Sequence, residues 1–323
     1  MAYFILDRKI FVVSIINLFL AYKIYEYLKN SEKKIVRIPV VMNVNNNYLY
    51  QSMITLTSLA ENSKKENYYD IFILIPNNFN IEYRLQILQL ELKYRNINIK
   101  IIEGEKSYVK FENYDSNFSK LFLHLLIPGY DKMIYINYNT LIFADLEELF
   151  NIDLQENYFS GFLSNETNKH NFTYDNSIIS LNKSINTNIM LINTKKLNQN
   201  NKINEFKLLY SQNKDNKNFD EKAMINILFK NETDILPEKY GMPNFDNVDI
   251  GLKYNLQIKE FYRYEENKFI AAFYEPSIND LFCKPWEKGY KCKQSIGWWY
   301  FAKKTKFFQE IKNKFGKLFE EKN

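Results

Sequence analysis

"MIYINYNTLIF", Met133 to Phe143, opens with four apolar or aromatic residues and then turns polar at Asn137-Tyr138-Asn139. A short apolar run that stops at turn-forming residues fits a buried strand, and this one delivers two amides, one residue apart, to its end. Pro128-Gly129 precedes it, after a helical pattern from Asn117 to Leu126. Upstream, "RIPVVMN" (Arg37 to Asn43) is a run of the same kind, breaking at "VNNNYLY" before a periodic helix from about Tyr50 to Asn62. "YDIFILIP" (Tyr69 to Pro76) gives a strand stopped by proline, Ile81 to Tyr94 a helix, and "INIKIIEG" a third strand. Downstream come "ADLEELFNIDLQ" as a short helix and turn, "YFSGFL" as a strand, "INTNIMLINTKKL" as strand into helix, and "FDEKAMINILFK" as a helix opening on charges.

That alternation predicts an α/β domain with a mostly parallel sheet and helices on both faces. Ligands in such sheets sit beyond the carboxyl ends of the strands, where "VNNNY" and "NYN" both fall. No linker or internal repeat divides residues 37–300, so they are read as one domain. Residues 1–36 form an apolar and then basic N-terminal segment, and residues 301–323 a basic amphipathic tail.

At 323 residues and 46% hydrophobic content the chain can bury a substantial core. Its 17% aromatic and 25% charged residues exclude a disordered chain. Asn, Lys and Ile are enriched in every segment, a compositional habit that gives any single Asn little weight. A net charge of +5 without a Lys/Arg stripe interleaved with aromatics does not mark a nucleic-acid partner. The two cysteines, Cys283 and Cys292, make no Cys-x-x-Cys pair and read as reduced thiols of a cytosolic domain. Two histidines, His124 and His170, are too few for His-based metal or triad chemistry.

Ile10 to Tyr22, "IFVVSIINLFLAY", has 13 largely apolar residues, short of the roughly 18–20 that span a bilayer. It is either a packed or peripheral helix or a short anchor; Lys23, Lys29, Lys33, Lys34 and Arg37 after it would keep the domain on the cytoplasmic side. The tail places Phe307, Phe308, Ile311, Phe315, Leu318 and Phe319 at helical spacing, with seven Lys against three Glu from Ala302 to Asn323. It is either an interfacial helix on anionic lipid or a helix docked on its own domain. The expected location is cytoplasmic, peripheral to or anchored in the membrane.

The order of motifs resembles the family-8 glycosyltransferases, retaining enzymes of the GT-A fold that use UDP-sugars. Their opening Asp-x-Asn-Tyr is matched by Asn45-Asn46-Asn47-Tyr48 and their "SLxxNS" by "SLAENS", Ser58 to Ser63. The family segment "YxRLxxPxLLPxYDKxIYLDxDTLxxxDLxELF" aligns without gaps to "FSKLFLHLLIPGYDKMIYINYNTLIFADLEELF", Phe118 to Phe150. "NTNIMLINTKKL" (Asn186 to Leu197) echoes "NSGVMLINLKKW", and Lys284-Pro285-Trp286 the late "KPW".

The resemblance implies a hexosyltransferase acting on a glycan or lipid-linked acceptor from a UDP-sugar, with Mn²⁺ held by the two aspartates of Asp-x-Asp and a late histidine. The matching positions are Asn137 and Asn139, no histidine follows His170, and Ala272 is the expected place of the missing one. The uridine-facing aspartate is Asn45. Neutral amides supply neither the charge nor the anionic oxygen that Mn²⁺ or Mg²⁺ favours, so no cofactor is assigned. For the nucleotide-sugar the resemblance points to Asn45, Asn47, Tyr48, Lys120, Asn137, Asn139, Asn186, Asn188 and Lys284. Among these, Lys120 replaces an Arg, Asn188 replaces a small Gly, and Lys284 matches a diphosphate contact; Lys222 is a further cation. Asp220 and Glu221 match the carboxylate-bearing motif beneath the anomeric carbon, with Asp220 its first residue in one register and Glu221 in the other. The same residues also fit a plain charged helix N-terminus. Three functions stay open: a transferase with a degenerate metal site, a catalytically silent relative that binds a nucleotide sugar, a glycan or a partner enzyme, or a membrane-peripheral scaffold that uses the two ends of the chain.

Overall fold

The computed structural model of the chain describes residues 18, 20–23, 36–103, 116–163, 171–175, 177–180, 184–200, 202–237, 241–243, 271–273 and 296–315. Met1–Val36 and Arg37–Asn323 are two compact units. In the first, Leu18 and residues 20–23 are helical; the rest of the apolar segment, with Lys29, Lys33 and Lys34, lies outside the described residues. No helix among the described residues is long and apolar enough to cross a membrane. Cys283, Cys292 and Lys284 also lie outside them.

The larger unit begins with β1 (Val36–Asn43), α1 (Leu49–Asn62), β2 (Asn67–Ile75), α2 (Ile81–Leu88), α3 (Leu90–Lys93) and β3 (Ile97–Glu103). It continues through α4 (Leu123–Leu126), β4 (Met133–Ile136), β5 (Thr140–Ile142), α5 (Glu147–Phe150), β6 (Phe159–Leu163), β7 (Asn171–Tyr174) and β8 (Ser177–Ser180). Then follow β9 (Ile185–Ile192), α6 (Thr194–Gln199), α7 (Ile203–Asn213), α8 (Glu221–Leu228), β10 (Thr233–Ile235), β11 (Gly241–Pro243) and β12 (Ala271–Phe273). Helices α9 (Ile296–Lys304) and α10 (Phe308–Phe315) close the described chain.

Seven strands form the main sheet in the order β10-β6-β9-β4-β1-β2-β3. β1 pairs parallel with β4, Val41 lying opposite Tyr135, and β2 pairs parallel with β3. β9 runs antiparallel between β4 and β6, so the sheet is mostly and not wholly parallel. From β1 the chain steps outward through β2 and β3, then returns to the other side of β1 with β4. The order therefore reverses between β1 and β4, the kind of switch point where open α/β sheets leave a crevice for ligands.

Val41, Tyr135, Met190, Phe159 and Leu123 share the buried core, which accounts for the apolar runs in these strands. Gly129 enters β4 at φ +96°, a left-handed turn that a side chain would strain. Gly161 is fixed by space: a Cβ there would lie 2.8 Å from the Asn186 carbonyl oxygen.

Two expected helices differ. The helix from Asn117 to Leu126 is a 3-10 segment, Ser116–Phe122, before α4; Phe118, Lys120, Leu121 and Phe122 are all buried there, so packing overrides α periodicity. The helix expected over Ile81 to Tyr94 breaks at Gln89, and Glu91 just beyond it accepts the Ile99 N–H of β3, the strand at one end of the sheet. In the tail, Phe307, Ile311 and Phe315 are buried. Tyr50 of α1 meets the Phe307 and Phe315 rings at 5.9 and 6.3 Å and donates its hydroxyl to Glu310 at 3.0 Å. Over these residues the apolar side of the tail is used inside the unit. The expected boundary at 300/301 falls within α9, and Leu318 and Phe319 lie outside the described residues.

Candidate active site

Two loops meet at the switch point. After β1, the Asn45 side chain accepts the N–H groups of Asn47 (3.0 Å) and Tyr48 (3.1 Å) from an extended backbone, which is the work of an N-cap. Asn46 ties this loop to the one after β2, donating to the Asn78 carbonyl and accepting from the Asn80 N–H, both at 3.1 Å. Ser52 donates to the Tyr48 carbonyl at 2.8 Å. Asn47 is exposed.

After β4, the Asn137 N–H donates to the Asn188 carbonyl at 2.7 Å. The Asn137 side chain accepts the Tyr138 N–H at 2.8 Å and donates Nδ2 to Asn188 Oδ1 at 3.2 Å. Thr55 Oγ1 of α1 lies 2.9 Å from the Tyr138 carbonyl and 2.7 Å from that of Thr140. The Tyr138 ring stacks on Tyr48, centroids 4.1 Å apart and planes 7° from parallel. Asn139 is half-buried in the same turn. Ala272 lies opposite Leu141 in the small sheet β11-β12-β5, so its backbone borders this turn.

β9 brings the third set of residues. Against it β6 advances from Gly161 to Leu163 while β9 runs from Met190 back to Ile185, so Asn186-Thr187-Asn188 bulges out of the pairing. Bulges re-aim side chains at sites of this kind, and Gly161 admits this one. Asn186 Oδ1 accepts the Asn188 N–H at 2.7 Å.

Beside the bulge lies a buried ion pair. Lys120, 1% exposed, donates Nζ to Glu221 Oε1 at 2.8 Å and to the Thr187 carbonyl at 3.3 Å, and sits 4.3 Å from the Tyr135 ring centroid. Thr187 Oγ1 donates to the same Glu221 oxygen at 3.1 Å. Burial works against both charges, but each partner outweighs it, holding Lys120 above its ordinary pKa and Glu221 below. Both are therefore charged at neutral pH.

Glu221 is aimed by its helix. Asp220 caps α8, accepting the Ala223 N–H at 2.8 Å. One turn on, Asn226 accepts the Ile185 N–H (2.7 Å) and donates to the Ile185 carbonyl (3.2 Å), fastening α8 to the start of β9.

Of the sequence-predicted residues, Asn45, Asn47 and Tyr48 line one loop, Asn137 and Asn139 the other, and Asn186, Asn188, Lys120 and Glu221 gather around the bulge. Asp220 is a helix cap, and Lys120 spends its donors on Glu221 and Thr187. Thr187, Tyr138 and Tyr135 were not singled out by sequence. Thr187 and Tyr138 each stand next to a residue that was, and Tyr135 stands two before Asn137 inside an apolar strand; none of these offsets carries a pattern of its own. Among the described residues no three His, Cys, Asp or Glu side chains converge to hold a metal ion.

A mostly parallel sheet with one reversed strand and polar loops at the β1/β4 switch defines an α/β nucleotide-diphospho-sugar transferase fold of GT-A type. The sequence profile described as "Glycosyl transferase family 8" matches residues 39–268, and the chain belongs to that family. Among solved structures, the bifunctional glycosyltransferase WbbM in its apo form superposes with a TM-score of 0.62 at 17% identity, over 86% of this chain and 52% of that one. The chain thus spans about half the length of WbbM. The galactosyltransferase LgtC, solved with donor and acceptor sugar analogs, gives 0.60 at 15% identity, over 86% of this chain and 100% of that one. The glycosyltransferase GlyE of Streptococcus pneumoniae TIGR4 gives 0.56 at 21% identity, over 82% and 60%. At these identities the likeness is one of fold. No curated protein sequence matches.

Proposed function

We propose that this chain transfers a hexose from a UDP-sugar to a glycan or lipid-linked acceptor, with retention of anomeric configuration, in the crevice outside β1 and β4. In this reading Asn45, Asn47 and Tyr48 face the nucleoside, Lys284 the diphosphate, and Asn186 and Asn188 the sugar. The bond from the anomeric carbon to the phosphate oxygen breaks, a bond to the acceptor oxygen forms, and the acceptor's proton ends on the departing phosphate. Glu221 stands by the developing positive charge on the sugar. The observation that carries this reading is Glu221 itself, a buried carboxylate fixed by Lys120 and Thr187 against the bulged segment that borders the crevice. A lipid-linked acceptor would place the reaction at the cytoplasmic face of a membrane.

The donor set does not fit the manganese ion that the family uses. Asn137 is neutral, and its oxygen already accepts the Tyr138 N–H. No step is therefore assigned to a metal, and the departing charge falls to cationic side chains and backbone N–H groups. The test is incubation of the full chain with UDP-[¹⁴C]hexoses and a membrane extract, with and without Mn²⁺. Label in the acceptor fraction with matching UDP release is expected, and neither appearing with any hexose would sink the proposal.

A second reading, a silent relative that binds a nucleotide sugar, a glycan or a partner enzyme, is favoured by one observation. The Lys120 charge is already balanced by Glu221, which leaves less for a diphosphate. It expects weak UDP binding indifferent to Mn²⁺; calorimetry finding tight, manganese-enhanced binding would exclude it.

A further inference from the structure

Helices α2 and α3 carry an apolar stripe that the fold leaves uncovered. Ile81, Leu85, Leu88 and Leu92 are 66, 57, 36 and 85% exposed, and their spacing of four, three and four residues puts them on one side of a helix. The break at Gln89 does not scatter them. Gln89 keeps helical angles (φ −64°, ψ −15°); its N–H donates to the Leu85 carbonyl and its carbonyl accepts the Leu92 N–H, both at 3.2 Å. Ile87, on the opposite side of α2, is buried and faces the domain. Four large apolar side chains in a row, over about 16 Å, are more than the single exposed ones of an ordinary surface.

The two ends of the stripe meet different surroundings. At its start Asn80 caps α2, accepting the Glu82 N–H at 2.8 Å, and the Asn80 N–H is itself held by Asn46 of the loop after β1. Ile81 therefore stands beside the rim of the crevice. Toward the far end, Gln89 and Lys93 lie along one flank of the stripe. Gln89 accepts from Lys306, and Lys93 donates to the Lys304 carbonyl at 3.4 Å, so the corner between α9 and α10 runs beside that flank. There Lys93 and Lys304 share one carboxylate, Glu61, while Lys306 meets the neutral Gln89, and Lys303 and Lys306 are exposed. Of the nearby acids, Glu91 is taken up by the Ile99 N–H and Glu103 by Arg84; Glu82, at the crevice end, is exposed. The flank is thus basic where it adjoins the tail.

We propose that the α2–α3 stripe and the lysine corner beside it form the face on which this domain rests on an anionic lipid bilayer. Apolar side chains reaching the headgroup boundary, with cations next to them, hold peripheral helices at such surfaces, and each Lys adds attraction to anionic headgroups. The sequence sets both features in the tail, but Phe307, Ile311 and Phe315 are buried; the tail supplies charge, and α2 and α3 supply the apolar footing. A second copy of the chain fits less well. The stripe measures about 16 Å by 10 Å, well under the roughly 800 Å² per partner of a stable protein interface. The proposal goes beyond the transfer reaction and does not depend on it. Taken with that reading, it brings a lipid-linked acceptor to the crevice from the Ile81 end.

Co-sedimentation of the full chain with vesicles tests it, using phosphatidylcholine alone and phosphatidylcholine with phosphatidylglycerol in a two-to-one ratio. The wild type is expected to bind the anionic vesicles and to leave them as salt rises. Leu85→Ser/Leu92→Ser should bind about tenfold to a hundredfold more weakly. Lys303→Gln/Lys306→Gln should lose about fivefold for each charge removed. Urea midpoints should stay near that of the wild type, since all four side chains are exposed. Wild-type binding that is absent, or equal on both lipids, would overturn the proposal. So would vesicle binding that either double variant leaves unchanged, which would place the contact elsewhere in the chain. A wild-type dimer in sedimentation velocity that Leu85→Ser/Leu92→Ser dissolves would make the stripe a contact between copies and overturn it as well. Leu92→Ser alone carries the same expectation in smaller measure, and failure of both leucine variants to fold would make the stripe structural and end the proposal. No readout here uses UDP or a sugar, so the transferase reading stands or falls separately.

Discussion

Asp145 and Asn137 lie in the same matched segment, yet one keeps a carboxylate and the other is an amide. Their neighbours explain the difference. Asp145 is buried and meets donors alone: Lys64 N–H and the Tyr69 hydroxyl on Oδ2 at 2.6 and 2.9 Å, Asn67 Nδ2 and Glu147 N–H on Oδ1 at 2.7 and 2.9 Å. Such a ring needs an acceptor-only group. Asn137 stands between a donor, the Tyr138 N–H, and, as the Asn188 amide is turned, an acceptor, Asn188 Oδ1, and an amide serves both. Asn226 does the same for the N–H and carbonyl of Ile185. Asn213 repeats it for Thr173, at 2.9 and 2.6 Å. These three amides are each fitted to mixed surroundings, which a compositional habit alone does not give.

The contrast breaks most visibly at Glu221, whose Oε1 accepts from Lys120 and Thr187. Lys120→Met leaves that carboxylate buried without its cation and is expected to cost about 3–5 kcal/mol of unfolding free energy. Adding Glu221→Gln should restore a large part, since the uncompensated charge goes with it. Urea denaturation of the single and double variants measures both. Equal loss in the two would show that the pair is not coupled.

Asp145→Asn comes next. It keeps one acceptor but turns an NH₂ toward two of the four donors, at a cost of about 3 kcal/mol. Burial pushes the Tyr69 hydroxyl strongly up in pKa, and Asp145 adds to it, so that phenol remains a donor through the accessible pH range. Reading the same urea midpoint, a loss under about 1 kcal/mol would mean that the ring tolerates an amide and that the rule is too strict.

Much of this was legible in the sequence, and what was not has definite causes. The runs that became β1, β2, β4 and β9 were readable because strands buried on both faces are apolar throughout, and β3, at the sheet edge with Lys100 exposed, by the alternation of Ile97, Ile99 and Ile101. β5, β11 and β12 have three residues each, too few to show a period. α7 was not read either: it ends on a buried polar residue, Asn213, which turns inward to Thr173. At the site, the resemblance made Glu221 and Lys120 expected donor contacts but could not say that they pair, because they are 101 residues apart and are brought together by β9 and by Asn226 fastening α8 to it.

A carboxylate nearer the surface sharpens the comparison through pH. Burial pushes the Glu61 carboxyl up, but hydrogen bonds from Lys304, Tyr94 and Lys93 prevail and hold it at about 2, against an ordinary 4.5. A folded-state pKa below the unfolded one gives stability that is present above pH 4.5 and lost as pH falls toward 2. With Glu61 partly exposed, the contribution is on the order of 2 kcal/mol. Glu61→Gln should be less stable than the wild type at pH 7, with the gap closing over that acid window. A gap independent of pH would mean that the loss is one of shape.

The smallest expected effect returns to Asn137. Asn137→Asp keeps the acceptor for the Tyr138 N–H but sets a carboxylate oxygen against Asn188 Oδ1. Asn188 answers by rotating its amide to present Nδ2, so the cost should stay below about 1 kcal/mol, well under that of Asp145→Asn. The two substitutions are mirror images, and their unequal cost is the direct measure of how strictly each site selects its group. Combined with Asn139→Asp, the variant also offers a divalent ion the anionic oxygen it lacks. UDP binding that becomes manganese-dependent in the double variant, by calorimetry, would place the ancestral metal position in this turn. Indifference to manganese, with the fold intact, would mean that the turn does not face the diphosphate.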